Sequence, residues 1–216
     1  MKRRDFSLAA ATVAVPGLTG LGNAVAQGAK PQAGKDYNVL DKRVPMDVTA
    51  GKVEVVEFFW YSCPHCNAFE PTLEAWVKAA PKDVSFKRVP VAFRDDFAPQ
   101  QRLFYTLEAM NKVDELHRKV FHAVHMERQA LNKDDAIIAW AEKQGLDKAK
   151  FTEVFRSFTV ASKLRRAAQL QDAFKVEGVP ALGIAGRYYT DGSMAGSMER
   201  ALKVTDHLIA EARKSA

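Results

Sequence analysis

Cysteine is scarce in this chain: 216 residues contain two, Cys63 and Cys66, so no structural bridge can form anywhere else. A dense basic run is also missing. The longest cluster, Lys163, Arg165 and Arg166, fits the solvated face of a helix, and nucleic-acid binding is not expected. Internal repeats and low-complexity tracts are absent. The chain also lacks an apolar run that could span a bilayer, because the stretch Ala9–Leu21 is short and carries Pro16 and Gly17.

That short stretch has another reading. Lys2-Arg3-Arg4 precedes it and the small residues Ala24-Val25-Ala26 follow it, which is the pattern of a cleaved export signal over residues 1–26. Arg3-Arg4-Asp5-Phe6 also fits a twin-arginine signal, with an ordinary secretion signal as the alternative. Removing 26 of 216 residues leaves 190, enough for one domain with a substantial insertion. Three basic residues and one acidic residue go with the signal, so the net charge falls from +6 to +4.

An exported protein meets an oxidising environment in which structural disulfides are common. Here the only pair is Cys63-Pro64-His65-Cys66. Closing so small a loop removes little entropy from the unfolded chain and makes a poor staple. The spacing suits redox chemistry better than structural support.

The pattern along the chain predicts where this pair sits. Asn38–Leu40 can start a short strand. Val53–Phe59 is β-branched, aromatic and almost wholly apolar, as a buried central strand should be. A helix is expected from Pro64 to Ala79, kinked at Pro71, and a second strand over Ser85–Val91. From Pro99 to Phe158 the periodicity is helical, with Leu103, Leu107 and Met110 on one helix and Leu116, Val120 and Val124 on the next. Ile137, Ile138, Trp140 and Ala141 mark a third, started by Asn132, and Lys148–Arg156 a fourth. A fifth helix runs from about Ala161 to Phe174. Strands Ala181–Ala185 and Tyr188–Thr190 then flank a hairpin turn at Gly186-Arg187, and Ser197–Arg213 closes the chain as a helix. The expected fold is α/β: a thioredoxin-like sheet split into residues 27–98 and 161–216, with an all-helical insertion over 99–160.

In that fold Cys63 would cap the helix and Cys66 would lie one turn inside it. Pro64 at the first helical position loses nothing by lacking an N–H. The N–H groups of His65 and Cys66, together with the helix dipole, would favour a thiolate at Cys63. Lowering a thiol from about 8.5 to about 5 takes roughly 5 kcal/mol. A helix terminus supplies at most about 2 kcal/mol, so direct hydrogen bonds and His65 must supply the rest. Stabilising the reduced anion makes the disulfide a stronger oxidant, so His65 points to an oxidase. Two alternatives remain on the residues alone. One is a zinc half-site that recruits His122 and His125, which share a helical face; the other is an inert pair in the core.

The segment Glu57-Phe58-Phe59-Trp60-Tyr61-Ser62-Cys63-Pro64-His65-Cys66, with Phe69-Glu70 after it, resembles the active-site region of the DsbA family, bacterial thiol:disulfide interchange proteins. Gly178-Val179-Pro180 resembles the family's cis-proline loop, and Ala185-Gly186-Arg187-Tyr188 its strand-turn-strand segment. The resemblance implies that Cys63 is the exposed nucleophile and Cys66 the resolving thiol. It also implies that Pro180 is cis, with the Val179 backbone pairing to substrate, and that Glu57 handles protons. On the residues, Glu57 could instead simply pair with Arg88 or Lys87. The family often has lysine where this alignment favours Arg88, and Pro71 and Pro90 are further departures. Trp60 and Tyr61 either line a substrate groove or pack in the core.

The function the resemblance implies is oxidation of unfolded exported proteins in the periplasm by a monomer. No cofactor or metal is needed beyond the Cys63–Cys66 disulfide, which a membrane quinone-linked partner of the DsbB type would restore. The competing readings are a disulfide isomerase or reductase, a metal-binding or metal-delivery protein, and a chaperone whose disulfide is secondary. Only 36 residues separate the expected cleavage site from Cys63, too few for the dimerisation domain of a DsbC-type isomerase.

Overall fold

A computed structural model describes residues 30–48 and 51–214. The expected export signal, residues 1–26, and its twin-arginine motif lie outside the described residues. Among the described residues no helix is long and apolar enough to cross a membrane.

The chain runs β1 (Asn38–Val39), β2 (Val53–Phe59), α1 (Pro64–Ala79) and β3 (Val84–Pro90), then a turn of 3-10 helix over Asp95–Phe97. Five helices follow: α2 (Ala98–Ala109), α3 (Val113–His125), α4 (Asp134–Lys143), α5 (Lys148–Phe155) and α6 (Phe158–Ala173). The last part is β4 (Ala181–Ile184), β5 (Tyr188–Asp191), α7 (Gly192–Ala195) and α8 (Met198–Lys214). The strands form one sheet in the order β1-β5-β4-β2-β3. β2 and β3 are parallel, joined across α1, and the β2–β4, β4–β5 and β1–β5 pairs are antiparallel. The two strand-bearing parts of the sequence therefore meet at β2 and β4, with the helical block spliced between β3 and β4.

β2 is central because both of its faces are covered; all seven residues are buried. Side chains alternate across a strand. Val53 and Val55 join Leu73 of α1 and Val204, Leu208 and Ile209 of α8 in one apolar cluster. Val56 and Phe58 join Phe104, Phe121, Ile137, Phe155 and Phe174 of the helical block in the other. Gly183 on β4 permits the close approach of Phe174, since a Cβ there would lie 2.4 Å from the ring.

Several boundaries differ from the sequence pattern for local reasons. α6 starts at Phe158, because the Ser157 side chain accepts the Val160 N–H, and residue 160 falls in its first turn. α4 starts at Asp134 and Asn132 does not cap it. The β4–β5 turn lies one residue earlier than expected: Ala185 and Gly186 take the positive φ values, 54° and 63°, and Arg187 N–H donates to Ile184 O. Gly186 is needed there because a Cβ would lie 2.2 Å from the carbonyl of Val44. The short helix α7 left no periodic trace, and the Asp191 carboxylate caps it through the Met194 N–H.

Candidate active site

β2 ends at Phe59, and the chain turns through Trp60-Tyr61-Ser62, closed by the Cys63 N–H donating to Trp60 O at 3.0 Å. Cys63 keeps an extended backbone (φ −79°, ψ 117°) and is the N-cap of α1, with Pro64 beginning the helix. Both cysteines are free thiols. The Cys66 N–H donates to Cys63 Sγ at 3.4 Å, so the sulfur occupies the place where a serine or aspartate oxygen would otherwise cap a helix.

The two sulfurs have opposite proton affinities. Cys63 is brought down to about 6, first by a hydrogen bond from the Cys66 thiol. Burial opposes this, while the N–H groups of Cys66 and His65 and the charge of His65 assist. Cys66 is pushed far above the ordinary thiol range by burial, by that same hydrogen bond and by the charge of Cys63. The expected asymmetry is present, but its main source differs from the sequence reading: the neighbouring thiol outweighs the helix end and His65. Cys63 is also less open than the expected exposed nucleophile. It is 7% exposed and Cys66 fully buried, whereas Pro64 and His65 are exposed.

The loop before β4 explains part of that cover. The Val179–Pro180 peptide bond is cis, and the Cys63 thiol donates to Val179 O at 3.4 Å. β4 is antiparallel to β2, which places this loop, 116 residues on in sequence, over the start of α1. A cavity of about 280 Å³ adjoins the loop, lined by His65, Val179, Pro180, Asp191, Ser193 and Met198.

Behind the sulfurs is a buried charged cluster. Glu57 on β2 faces Arg88 on β3 in register, with Arg88 Nε 3.2 Å from Glu57 Oε2. The Arg88 guanidinium also pairs with Glu70 Oε1 on α1. His117 Nε2 on α3 lies 3.4 Å from the same Glu70 oxygen, and His117 Nδ1 is 2.9 Å from the Tyr61 hydroxyl. Both carboxylates are fully buried. One guanidinium cannot neutralise two of them, so a proton stays on one. Burial and then the charge of Glu70 raise Glu57 to about 8, against the pull of Arg88. Burial also opposes the charge of Glu70, but His117 and Arg88 outweigh it and hold Glu70 below its usual value. Glu57 is therefore the carboxyl that holds the proton at neutral pH. Lys87, the other partner expected for Glu57, instead meets Glu54 at 2.7 Å.

The two aromatics before the cysteines separate. Tyr61 is 1% exposed, packed among Phe59, Phe121 and His117, so it cannot line a groove. It lies beyond the end of β2, where the turn into α1 directs its ring into the helical block. Trp60 is half-buried and stacks on Phe97 at 3.8 Å. His122 and His125 do not converge: His122 pairs with Glu127, while His125 Nε2 is 2.8 Å from the carbonyl oxygen of Tyr61. Among the described residues no group of His, Cys, Asp and Glu side chains is placed to hold a metal ion.

The sequence pattern missed the residues that grip this segment from the helical block. Gln100 hydrogen-bonds the Ser62 hydroxyl, Gln101 donates to Pro90 O, and His117 and His125 hold Tyr61. Glu70 carried a signal, being four residues after Cys66 and so on its helical face. His117 carried none, because it interrupts an otherwise apolar stripe.

Comparison with known proteins agrees with this geometry. A family model described as DSBA-like thioredoxin domain matches residues 54–203. The thiol:disulfide interchange protein DsbA of Bordetella parapertussis is 47% identical over 85% of this chain and 87% of its own length. DsbA of Pseudomonas aeruginosa strain PAO1 is 39% identical over 85% and 87%. A crystal structure of P. aeruginosa DsbA superposes with a TM-score of 0.81 at 38% identity, covering 86% of this chain and 96% of that one. The DsbA oxidoreductase of Xylella fastidiosa gives 0.79 at 28% identity, covering 85% and 98%.

Proposed function

This chain belongs to the DsbA family of thiol:disulfide oxidoreductases with a thioredoxin-like fold, and we propose that it oxidises cysteine pairs of unfolded proteins exported to the bacterial periplasm. The family introduces disulfide bonds with a redox-active disulfide and no bound cofactor. The observation that carries the assignment of roles is the split between the two sulfurs: Cys63 is favoured as an anion at the helix start, and Cys66 is buried and favours its proton.

In the proposed reaction a substrate thiolate attacks Cys63 Sγ of the Cys63–Cys66 disulfide. The enzyme's S–S bond breaks, a mixed disulfide forms, and Cys66 leaves as a thiolate that takes up a proton. Glu57 is the proton donor in this reading, because it is the carboxyl of the buried cluster that holds one near neutral pH. The second substrate thiolate then attacks its own partner sulfur and releases Cys63 as the thiolate. Two electrons pass from the substrate thiols to the enzyme. The stability of the Cys63 anion drives this last step, since the better leaving thiolate departs. A quinone-linked membrane protein of the DsbB type would return the dithiol to the disulfide. Val179 offers backbone groups to an extended substrate segment, and half-buried Trp60, backed by buried Phe97, is the aromatic proposed to line the substrate groove.

Export rests on the basic, apolar and small-residue pattern of residues 1–26, and the chain is proposed to act as a monomer after their removal. The helices α2–α6 are proposed to act as one insertion that clamps the segment before Cys63. The test is redox equilibration with glutathione, followed by oxidation of a reduced two-cysteine peptide. The expected result is an equilibrium constant far on the oxidising side of thioredoxin and no turnover in Cys63→Ser. A potential near that of thioredoxin would assign the chain to reduction or isomerisation instead.

A further inference from the structure

Imidazole is an unusual occupant of the site that His117 fills. The ring is 3% exposed and surrounded by Phe59, Phe104, Phe121 and Tyr61, at centroid distances of 5.2–5.9 Å. Leucine or phenylalanine would suit such a cage without a desolvation cost. What distinguishes histidine is that its two nitrogens face different chemistry. Nδ1 is 2.9 Å from the Tyr61 hydroxyl, and burial holds that phenol in its protonated, donating form. A neutral ring that accepts at Nδ1 carries its hydrogen on Nε2. Nε2 is 3.4 Å from Glu70 Oε1, a close polar contact that does not meet hydrogen-bond geometry, and it makes no hydrogen bond to any other group.

We propose that His117 is a positioning residue for the proton carried by Glu57: fixed by Tyr61, its imidazole keeps Glu70 ionised, and the Glu70 charge in turn keeps the proton on Glu57.

The proposal rests on the reading of Glu57 as the donor to Cys66. The groups that face this chain of contacts come from four elements. Glu57 lies on β2, Arg88 on β3, Glu70, Glu74 and Lys78 on α1, and Asp114, His117 and Arg118 on α3, while Tyr61 and Cys63 face the cluster from the turn between β2 and α1. The cluster holds two carboxylates and one guanidinium, so the protonated carboxyl is whichever has fewer stabilising partners. Glu70 has Arg88 and His117; Glu57 has Arg88 alone. His117 decides between them. Burial keeps its own imidazole from charging despite Glu70 and Glu74, so it acts as an N–H dipole without adding a second positive charge. A histidinium there would let both carboxyls ionise and remove the proton that Cys66 needs. A cleft of about 440 Å³, lined by Arg88, His117, Glu74, Asp114 and Arg118, brings solvent to the edge of the cluster. Glu57 can recover its proton from that side, away from the substrate.

The experiment is an infrared titration of the buried carboxylic-acid carbonyl band in the reduced full-length protein after signal removal. The Glu57→Gln variant assigns the band. In the unaltered protein the band should persist through neutral pH and disappear near 8, and it should be absent in Glu57→Gln. His117→Leu keeps the packing and removes both nitrogens, so the band should titrate about one pH unit lower or more. His117→Gln, which retains an amide N–H toward Glu70, should restore most of the original value. If His117→Leu does not fold, His117→Asn, whose amide stops short of Glu70, carries the same expected shift. A lower melting temperature with an unmoved band would show a purely packing role and overturn the proposal while leaving the Glu57 reading intact. No carboxylic-acid band at neutral pH in the unaltered protein would overturn the Glu57 reading, and the proposal with it.

Discussion

The backbone N–H of Cys66 points at the sulfur of Cys63 across 3.4 Å, and the side chain of the same residue is the strongest influence on that sulfur's acidity. One residue thus supplies two hydrogen bonds to its partner in the reduced state, and it must give up both the thiol and its proton when the disulfide forms. Oxidation therefore removes the anion together with its thiol donor, while the backbone N–H is left facing a neutral sulfur, and the dithiol is favoured for that reason.

Replacing Cys66 by alanine should raise the Cys63 thiol by about one to two pH units, because the backbone N–H groups remain and the thiol donor is lost. Thiolate absorbance in the ultraviolet reads this directly. Given a disulfide-linked peptide, the variant should also accumulate a mixed disulfide, because Cys63 attacks one sulfur, the other leaves as a thiolate, and no resolving thiol remains.

The difference in stability between reduced and oxidised protein should grow as pH rises from about 6 to about 9. In the reduced form Cys63 ionises near 6 when folded and near 9 when unfolded, so the unfolded state binds more protons in that window and stability rises with pH. The oxidised form has no such group. The full effect is about 4 kcal/mol for a shift of three units, less whatever solvent screening reaches the sulfur. Above about pH 9 the trend should reverse, because burial keeps Cys66 protonated only in the folded state. Urea midpoints of the two redox forms measured across this range check both slopes.

Glu57 works in the opposite direction in both redox forms, and only the part of its shift that comes from the Cys63 charge is confined to the reduced one. Its folded value, about 8, lies above the ordinary 4.5, so the folded state is the one that holds the extra proton. Stability from this source is present below about 4.5 and is lost as pH rises through 8, by a few kcal/mol in total. Glu57→Gln should flatten the decline seen in the oxidised protein over that range.

Removing the single cation of the buried cluster should be costly. Arg88→Met leaves Glu57 and Glu70 buried without a counter-charge and should destabilise the protein by about 3–5 kcal/mol at neutral pH. Acidification should recover much of the loss, since protonating Glu70 removes the unpaired charge. Thermal melts at acidic and neutral pH separate this from a simple packing defect.

Most of the fold was legible because its decisive segments are locally consistent. The β-branched run Val53–Phe59 and the cap at Cys63-Pro64 each point to the structure observed. The local misses occur where neither period nor composition changes: α7 is four residues long, and α4 begins without a side-chain cap. At the site, the cysteines and the cis-proline loop were readable because they lie in compact motifs. The clamp formed by Gln100, His117 and His125 was not, because each reaches Tyr61 or Ser62 from 38 to 64 residues away. Tyr61 stayed open between groove and core for a related reason: an aromatic at a strand end serves either until the packing of the opposite layer is known.

The central claim is that Cys63 holds its negative charge at the start of α1. Ultraviolet titration of the reduced protein, with Cys63→Ser as the blank, tests it most directly. The expected result is a single thiolate transition near pH 6, with Cys66 silent through the alkaline range. A transition at the value of a free cysteine, about 8.5, would contradict it.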